Sequence, residues 1–441
     1  MRGEGREGGL AAAAMAALIL TAPAAALASP QDVLGYGART QAMGATGAAV
    51  AEGYEAVYGN PALLSATHER RLTVGMTSAI FDLRAEPASG GANAALGRLP
   101  YGPLRGGVIG ATLPIPFGGF LKDRVTLGLG FFTPFDIVVR GRILDPERPQ
   151  FLMADRVQSV AVQVGLGVDI GHGIRIGGGF AALAALSGSV LVATDASGRV
   201  GTVVENSLVA SYAPVIGASY ERGPWRFGAT FRGELVGRFN VVITVRDLGA
   251  ITVPPLNISG IAQYDPLQLA LEAARTVGPF RLALGATYKR WSGYPGPNEA
   301  TVRCPETDPD SGEPFSKPCD PLVPLDPGYS DTVVVRAGVE HSHALSRSVT
   351  TKLRGGAFFE PSPAPAQTGE ANLFDSHRLA LTLGYGLSAG PVDLDLFGQA
   401  HLLLPRSHDK VADVPASNPG APSVETSGVI IAGGLTAGVA F

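Results

Sequence analysis

The sequence predicts an all-β protein: a transmembrane antiparallel β-barrel of about 14 strands, with a small N-terminal helical hatch in its lumen. Three observations predict it. Mean hydropathy is positive, yet no apolar run after the N-terminal segment reaches the roughly 18 residues of a membrane-crossing helix. Segment after segment alternates apolar and polar side chains with the period of a β-strand. Between those segments short and long connections mostly alternate, as when one rim of a barrel carries tight turns and the other long loops.

The chain has 441 residues, long for one small soluble core, but a closed sheet absorbs that length. Gly is abundant at 59 residues and charged residues make up only 16%. The formal charge of −4, with no basic patch, gives no sign of a nucleic-acid partner. The N-terminus has a separate character. Arg2 and Arg6 precede an apolar stretch from Leu10 to Leu20, and Ala26-Leu27-Ala28 follows. That order is a basic region, a short apolar region and a small-residue cleavage site, so residues 1–28 read as a signal peptide. Residues 29–70 are then the hatch and 71–441 the barrel. The expected address is the outer membrane of a Gram-negative bacterium, crossed many times.

Four segments carry the alternation most plainly. In "VDLDLFGQAHLLL", Val392, Leu394, Leu396, Ala400, Leu402 and Leu404 share one face, and Asp393, Asp395, Gln399 and His401 the other. "HRLALTLGYGLS" sets Leu379, Leu381, Leu383, Tyr385 and Leu387 against Arg378, Thr382, Gly384 and Ser388. "WRFGATFRGEL" sets Trp225, Phe227, Ala229, Phe231 and Leu235 against Arg226, Thr230, Arg232 and Glu234. "VAVQVGLGVDI" sets Val160, Val162, Val164, Leu166, Val168 and Ile170 against Gln163 and Asp169. Charges that recur on one face suit a hydrated lumen. Tight turns are expected near Gly171, Gly223, Gly278 and Gly390. Long connections are expected near 86–103, 141–155, 248–265, 293–330, 361–376 and 405–427.

A closed barrel has no edges, so its last strand pairs with its first. The sequence ends on "LTAGVAF". Val429 to Phe441 is therefore the closing strand, with Leu435, Val439 and Phe441 outward and Gly434, Thr436 and Gly438 inward. Cys304 and Cys319 flank one Pro- and Asp-rich loop. In an exported chain they read as a disulfide staple, worth roughly 3 kcal/mol in the chain-entropy model. Two Cys with no nearby His supply too few ligands for a metal, and nothing calls for a cofactor.

The segment before the first strand does not alternate. It is rich in Ala and Gly, with a turn or helix-start signal at Asn60-Pro61. Its small residues permit close packing against inward side chains. "GARTQAMGATGAAVAEGYEAVYGNPALL" resembles the N-terminal hatch of the FadL/TodX family, outer-membrane transporters of long-chain fatty acids and aromatic hydrocarbons. Gly44, Gly47, Asn60, Pro61 and Ala62 carry the hatch motif. "WRFGATFRGELVGRF", "LALGATYKRWS", the stretch from Val335 to Pro365, "DSHRLALTLGYG" and the terminal "GVAF" resemble later parts of that family in the same order.

The resemblance implies a fourteen-stranded barrel that takes hydrophobic ligands up outside and releases them sideways to membrane lipid beside a kinked third strand. The third strand here, "RVTLGLGFFTPFDIVV", holds Gly128, Gly130 and Pro134. Pro134 lacks a ladder donor. The resemblance also implies that barrel-assembly machinery reads Phe441. The connector after the fifth strand, near "TDASGRVG", is short where the family often has a helical capture loop; segments 251–264 and 293–330 could capture ligand instead. Arg226, Arg232, Arg378 and Lys352 are candidate lumen contacts among the inward charges, with Asp169, Glu234, Arg281, Lys289, Arg336, Arg354, Asp393 and Asp395 beside them.

The expected function is passive transport of a hydrophobic small molecule by a monomer. An assembly or secretion partner on the same barrel is the alternative. An enzyme is a further class, but no G-x-S-x-G is present and the one dense His cluster, His341 to His343, falls at a predicted turn.

Overall fold

The computed structural model describes residues 30–88, 95–135, 148–152, 160–194, 200–246, 256–296 and 326–441. The signal peptide, Cys304, Cys319 and most of the connector after the fifth strand lie outside the described residues. Short helices α1 (Pro30–Leu34), α2 (Ala38–Ala42) and α3 (Ala56–Gly59), with 3-10 turns at Gly53–Glu55 and Pro61–Ala66, form the first described segment. Gly breaks keep each helix to about one turn.

The strands are β1 (Arg71–Pro87), β2 (Gly97–Arg98), β3 (Leu104–Ile115), β4 (Val125–Pro134), β5 (Gln150–Phe151), β6 (Ala161–Gly171), β7 (Ile174–Thr194), β8 (Val200–Arg222), β9 (Trp225–Arg232), β10 (Leu235–Arg246), β11 (Leu256–Asp265), β12 (Leu267–Val277), β13 (Phe280–Arg290), β14 (Thr332–Ala344), β15 (Val349–Glu360), β16 (Leu373–Phe374), β17 (Arg378–Ala389), β18 (Val392–Asp409) and β19 (Ser423–Ala440). Fourteen of them close the barrel. The short β2, β5 and β16 and the inserted hairpin β10–β11 are additions to it.

The closing ladder runs from Arg71↔Ala440 to Pro87↔Val424. Phe441 still takes part, donating its N–H to the Arg70 carbonyl at 3.0 Å. The strand opened by the terminal "LTAGVAF" therefore pairs with β1 on one side and β18 on the other. Leu72, Val74, Ile80, Ile431, Leu435 and Val439 point outward and are exposed, while Thr73, Thr77 and Thr436 point inward and are buried. Leu383 is 72% exposed; an apolar side chain so placed, repeated round the wall, needs lipid rather than water against it.

Deleting Phe441 removes one ladder bond and the terminal aromatic. The expected result is a drop in folded barrel in the outer membrane, read as heat-modifiable gel migration. Wild-type levels would count against a terminal signal.

Two expectations need correction. Leu235 does not continue the outer face of β9: it is buried, packed with Val160, Ala182 and Ala213. The Gly233 N–H bonds the Pro214 carbonyl at 2.8 Å, which turns the chain off the β9 line. The expected connection 248–265 also contains β11, paired with β10. β10 lies parallel to β7 from Phe239↔Leu186 to Arg246↔Ala193, above the point where β6 stops pairing at Ala161↔Leu183. This hairpin sits at the long-loop rim. There β5 and β16 pair in parallel, and Phe151 meets Phe374 edge-on at 6.1 Å.

Candidate functional site: the hatch seat and the lumen

The segment from Pro30 to Ala66 lies inside the barrel, and nearly all of it is buried. Bare wall makes room for it. A Cβ at Gly217 (β8) would collide with Asn60 Oδ1. Gly44 turns at φ +69, and a Cβ there would collide with the backbone of Ala337 and Ala357, so both conformation and contact demand glycine there. Its N–H donates to Thr382 Oγ1 at 2.9 Å.

Asn60 uses its whole amide. Nδ2 donates to the Ala48 carbonyl at 2.7 Å and to the Ala218 carbonyl on β8 at 2.9 Å, and Oδ1 accepts from the Ala62 N–H at 3.0 Å. One side chain thus caps the Pro61–Ala66 turn, ties it to the rest of the hatch and ties the hatch to the wall. Pro61 starts that turn with the one residue that lacks a donor, and the Pro61–Ala62 backbone rests against Gly177. Asn60→Ala is expected to loosen the hatch by about 1–3 kcal/mol, read as faster amide exchange at residues 60–66 with the barrel intact. Unchanged exchange would mean that these bonds do not hold it.

Gly47 works through its backbone. Glu272 on β12 accepts from the N–H groups of Gly47, Ala48 and Ala49 at 2.8, 3.1 and 3.0 Å, an anion in a nest of successive amides. Arg39 makes a two-pronged charged contact with the wall. Its Nε and one terminal nitrogen reach the two oxygens of Glu340 on β14 at 3.0 Å each, and it also donates to the Val50 carbonyl. Arg354 on β15 binds the same carboxylate at 2.7 Å.

Glu52 and Glu55 show how the hatch handles charge. Burial opposes ionisation of Glu52, but Arg39 and Arg281 outweigh it and hold that carboxyl at about 2. Burial pushes Glu55 up to about 8, although Arg39 opposes the rise. Its two oxygens accept from the N–H groups of Arg39 and Thr40 at 2.9 and 3.1 Å.

Higher in the lumen a second layer holds α1. Lys289 lies between Asp32 at 2.9 Å and Glu360 at 2.6 Å. Arg378 binds Glu360, the Val33 carbonyl at 2.9 Å and His401 at 3.2 Å. Arg232 donates to the Tyr58 carbonyl at 2.8 Å and to Gln268 at 2.9 Å, and stacks on the Tyr58 ring. Arg336 stacks on Phe358 at 4.8 Å. Among the described residues neither Arg232 nor Arg336 has a carboxylate against it.

The opposite side of the lumen is apolar. Phe81, Leu83, Leu104, Val108, Phe132, Leu403 and Ile430 form one cluster with Val33, Leu34 and Tyr36 of the hatch. α1 straddles the two sides.

The candidate residues divide by height. Arg232 and Arg378 reach the hatch. Arg226 does not: it pairs with Glu221 at 2.9 Å on the short-turn rim. Lys352 lines a polar vestibule of about 350 Å³ at the same end, with Glu52, Glu55, Arg71 and Asp395. Gly128 faces Val57 and Leu64, and Gly130 faces Tyr36 and Val57. Pro134 is the last residue of β4. His341 lies against Phe280 and His343 is exposed. The sequence reading missed Asp32, Arg39, Glu272, Glu340 and Glu360. Glu272 was available from the alternation of Gln268, Ala270, Glu272 and Ala274, and Arg39 from the hatch motif itself.

A closed fourteen-stranded barrel, apolar outside and filled by its own N-terminal segment, defines a plugged barrel of the membrane-spanning kind. It has the fold of the FadL/TodX transporters. It is similar to a FadL homologue of Pseudomonas aeruginosa, with a TM-score of 0.58 and 12% identity over 94% of this chain and 99% of that one. It is similar also to the toluene transporter TodX of Pseudomonas putida, with a TM-score of 0.55 and 15% identity over 93% and 99%. The toluene transporter TbuX of Ralstonia pickettii gives a TM-score of 0.53 and 15% identity over 93% and 99%. No family model matches the sequence, and no curated protein matches it.

Proposed function

We propose that this protein carries hydrophobic compounds across the outer membrane of a Gram-negative bacterium, that its ligand is a long-chain acid, and that release is sideways beside β4. The neighbours' fold supports transport in general. The observation that carries the finer reading is the two-sided lumen. The apolar side, from Phe81 to Phe132, is filled by Val33, Leu34 and Tyr36 of the hatch, and an acyl chain would take their place there as the hatch shifts. A carboxylate would be drawn to the other, where Arg232 and Arg336 stack on aromatic rings and make no direct ion pair among the described residues.

The ladder supports the exit. β4 pairs with β3 as far as Gly106↔Pro134, and the Phe135 N–H continues to the Arg105 carbonyl at 2.8 Å. Towards β6 the described pairs end at Phe132↔Ala161. Pro134 lies two residues past Phe132 and offers no donor, and the position that would face it on the β6 side falls outside the described residues. Phe132 belongs to the apolar cluster, so the cluster reaches the wall at the last described pair with β6. An apolar chain released into the bilayer keeps roughly 0.8 kcal/mol per methylene that water would take.

Uptake by a deletion strain tests the proposal with a radiolabelled long-chain fatty acid and with toluene. Complementation is expected to restore the acid strongly. Restoration of toluene alone would overturn the acid reading, and restoration of neither would overturn transport. In the same assay Pro134→Val is expected to cut uptake about fivefold, the worth of one restored ladder bond near 1 kcal/mol. Unimpaired uptake by a folded variant would remove β4 as the exit.

A further inference from the structure

The turn between β3 and β4 differs from the other tight turns on its rim. Its neighbours are compressed to residues 172–173, 223–224, 278–279, 345–348 and 390–391, whereas this one spans residues 116–124. Its sequence, "PFGGFLKDR", carries apolar side chains into the open. Phe120 is 66% exposed, Phe117 45% and Leu121 36%. They are not stray core residues, because none belongs to a packed cluster among the described residues. Gly118 and Gly119 bring the two aromatics close in sequence without packing them together; Gly119 has φ +63. Arg124 lies over the Phe120 ring at 4.6 Å and donates to the Ile170 carbonyl at 3.2 Å. Exposed Lys122 and Asp123 complete the tip, leaving it one positive charge in excess.

Two further facts say what covers this surface. The turn continues the outward apolar face of its own strands, through Leu113 above Phe117 and Leu129 on β4, both exposed. Exposed aromatics also mark the same rim elsewhere, at Tyr220, Trp225, Phe280 and Phe441. Aromatic side chains favour the boundary between acyl chain and headgroup, and basic side chains reach from there to phosphate.

We propose that residues 116–124 form a lipid anchor lying in the periplasmic leaflet. Phe117, Phe120 and Leu121 sit at the acyl boundary, and Lys122 and Arg124 reach phospholipid phosphates. The placement rests on the outer-membrane reading under Proposed function, together with the rule that such barrels carry their short turns on the periplasmic side. The anchor lies directly below β3 and β4, so it fixes the bilayer against the strand pair that flanks the proposed exit.

The test uses the full barrel in vesicles of phosphatidylethanolamine and phosphatidylglycerol, with Cys304→Ser and Cys319→Ser removing competing thiols. A nitroxide is placed at Phe120→Cys, at Phe117→Cys as a second reporter should the first fold poorly, at Leu113→Cys as a lipid-facing control and at His172→Cys as a tight-turn control. Collision with oxygen relative to a water-soluble nickel chelate is expected to be severalfold higher at 120 and 117 than at 172. It should approach the ratio at 113. Ratios at 120 and 117 equal to that at 172 would overturn the anchor, including in favour of a periplasmic protein partner, since no such partner is in the vesicles. A watery ratio at 113 itself would overturn the membrane reading instead, which keeps the two failures apart. Replacing the phosphatidylglycerol by zwitterionic lipid should bring the label at 120 closer to water. Indifference to lipid charge would remove Lys122 and Arg124 from the anchor.

Discussion

Replacing Arg39 by methionine is expected to unseat the hatch while the barrel stays folded. The side chain is buried with Glu340. Its guanidinium spans both oxygens of that carboxylate and also reaches Val50 in the hatch. Removing one member of a buried ion pair costs about 3–5 kcal/mol, because the remaining charge keeps its desolvation and loses its partner. Arg354 stays on Glu340 at 2.7 Å, so the loss should fall at the lower end of that range. The wall has its own ladder from β13 to β15, and that ladder does not pass through Arg39. Amide exchange over residues 38–59 is expected to accelerate about a hundredfold or more, the equivalent of 3 kcal/mol at 1.4 kcal/mol per tenfold. Planar-bilayer conductance should rise in step, and gel migration should still show a closed barrel. Wild-type protection of residues 38–59 would mean that the hatch is held without this pair.

The barrel was legible in the sequence because a strand's period is two: each alternating segment states which side chains face in and which face out, and short turns set the order of strands. Arg226 and Arg232 show the limit. They share one strand and one face, yet Arg226 pairs with Glu221 at the rim and Arg232 meets Tyr58 of the hatch. Periodicity gives the face of a residue and not its height, and height decides which charge meets the plug. Contacts between hatch and wall span hundreds of residues, as between Arg39 and Glu340, and no local pattern announces them. Leu235 failed for a related reason. A bend at Gly233 ended the face while the alternation of letters carried on. Gly128 and Gly130 stand with Pro134 in the sequence reading of the third strand, and the structure adds that their inward faces rest on hatch side chains.

Lys289 gives the second large effect, and its test separates a stabilising ion pair from a positioning one. The ammonium is fully buried between Asp32 of α1 and Glu360 of β15. Lys289→Met removes the cation from between two buried carboxylates, which is expected to cost about 3–5 kcal/mol. Arg378 remains on Glu360, so the deficit falls mainly on Asp32 and hence on α1. Adding Asp32→Leu removes that carboxylate together with its bond from Gln268 Nε2 at 2.6 Å. An ion pair replaced by apolar side chains of similar volume is often neutral, so the double variant should recover about 2 kcal/mol of the loss, a coupling read directly from a double-mutant cycle. Protection of residues 31–34 against amide exchange follows the energies: low in each single variant, and largely restored in the pair. Position would then be the lasting role of the salt bridge. It sets Val33 and Leu34 against the apolar side and turns α1 towards Arg336. A double variant that is protected but takes up the long-chain acid poorly would assign Lys289 and Asp32 to the ligand path as well as to the fold. A double variant as unprotected as Lys289→Met alone would show that α1 is held by something other than this pair.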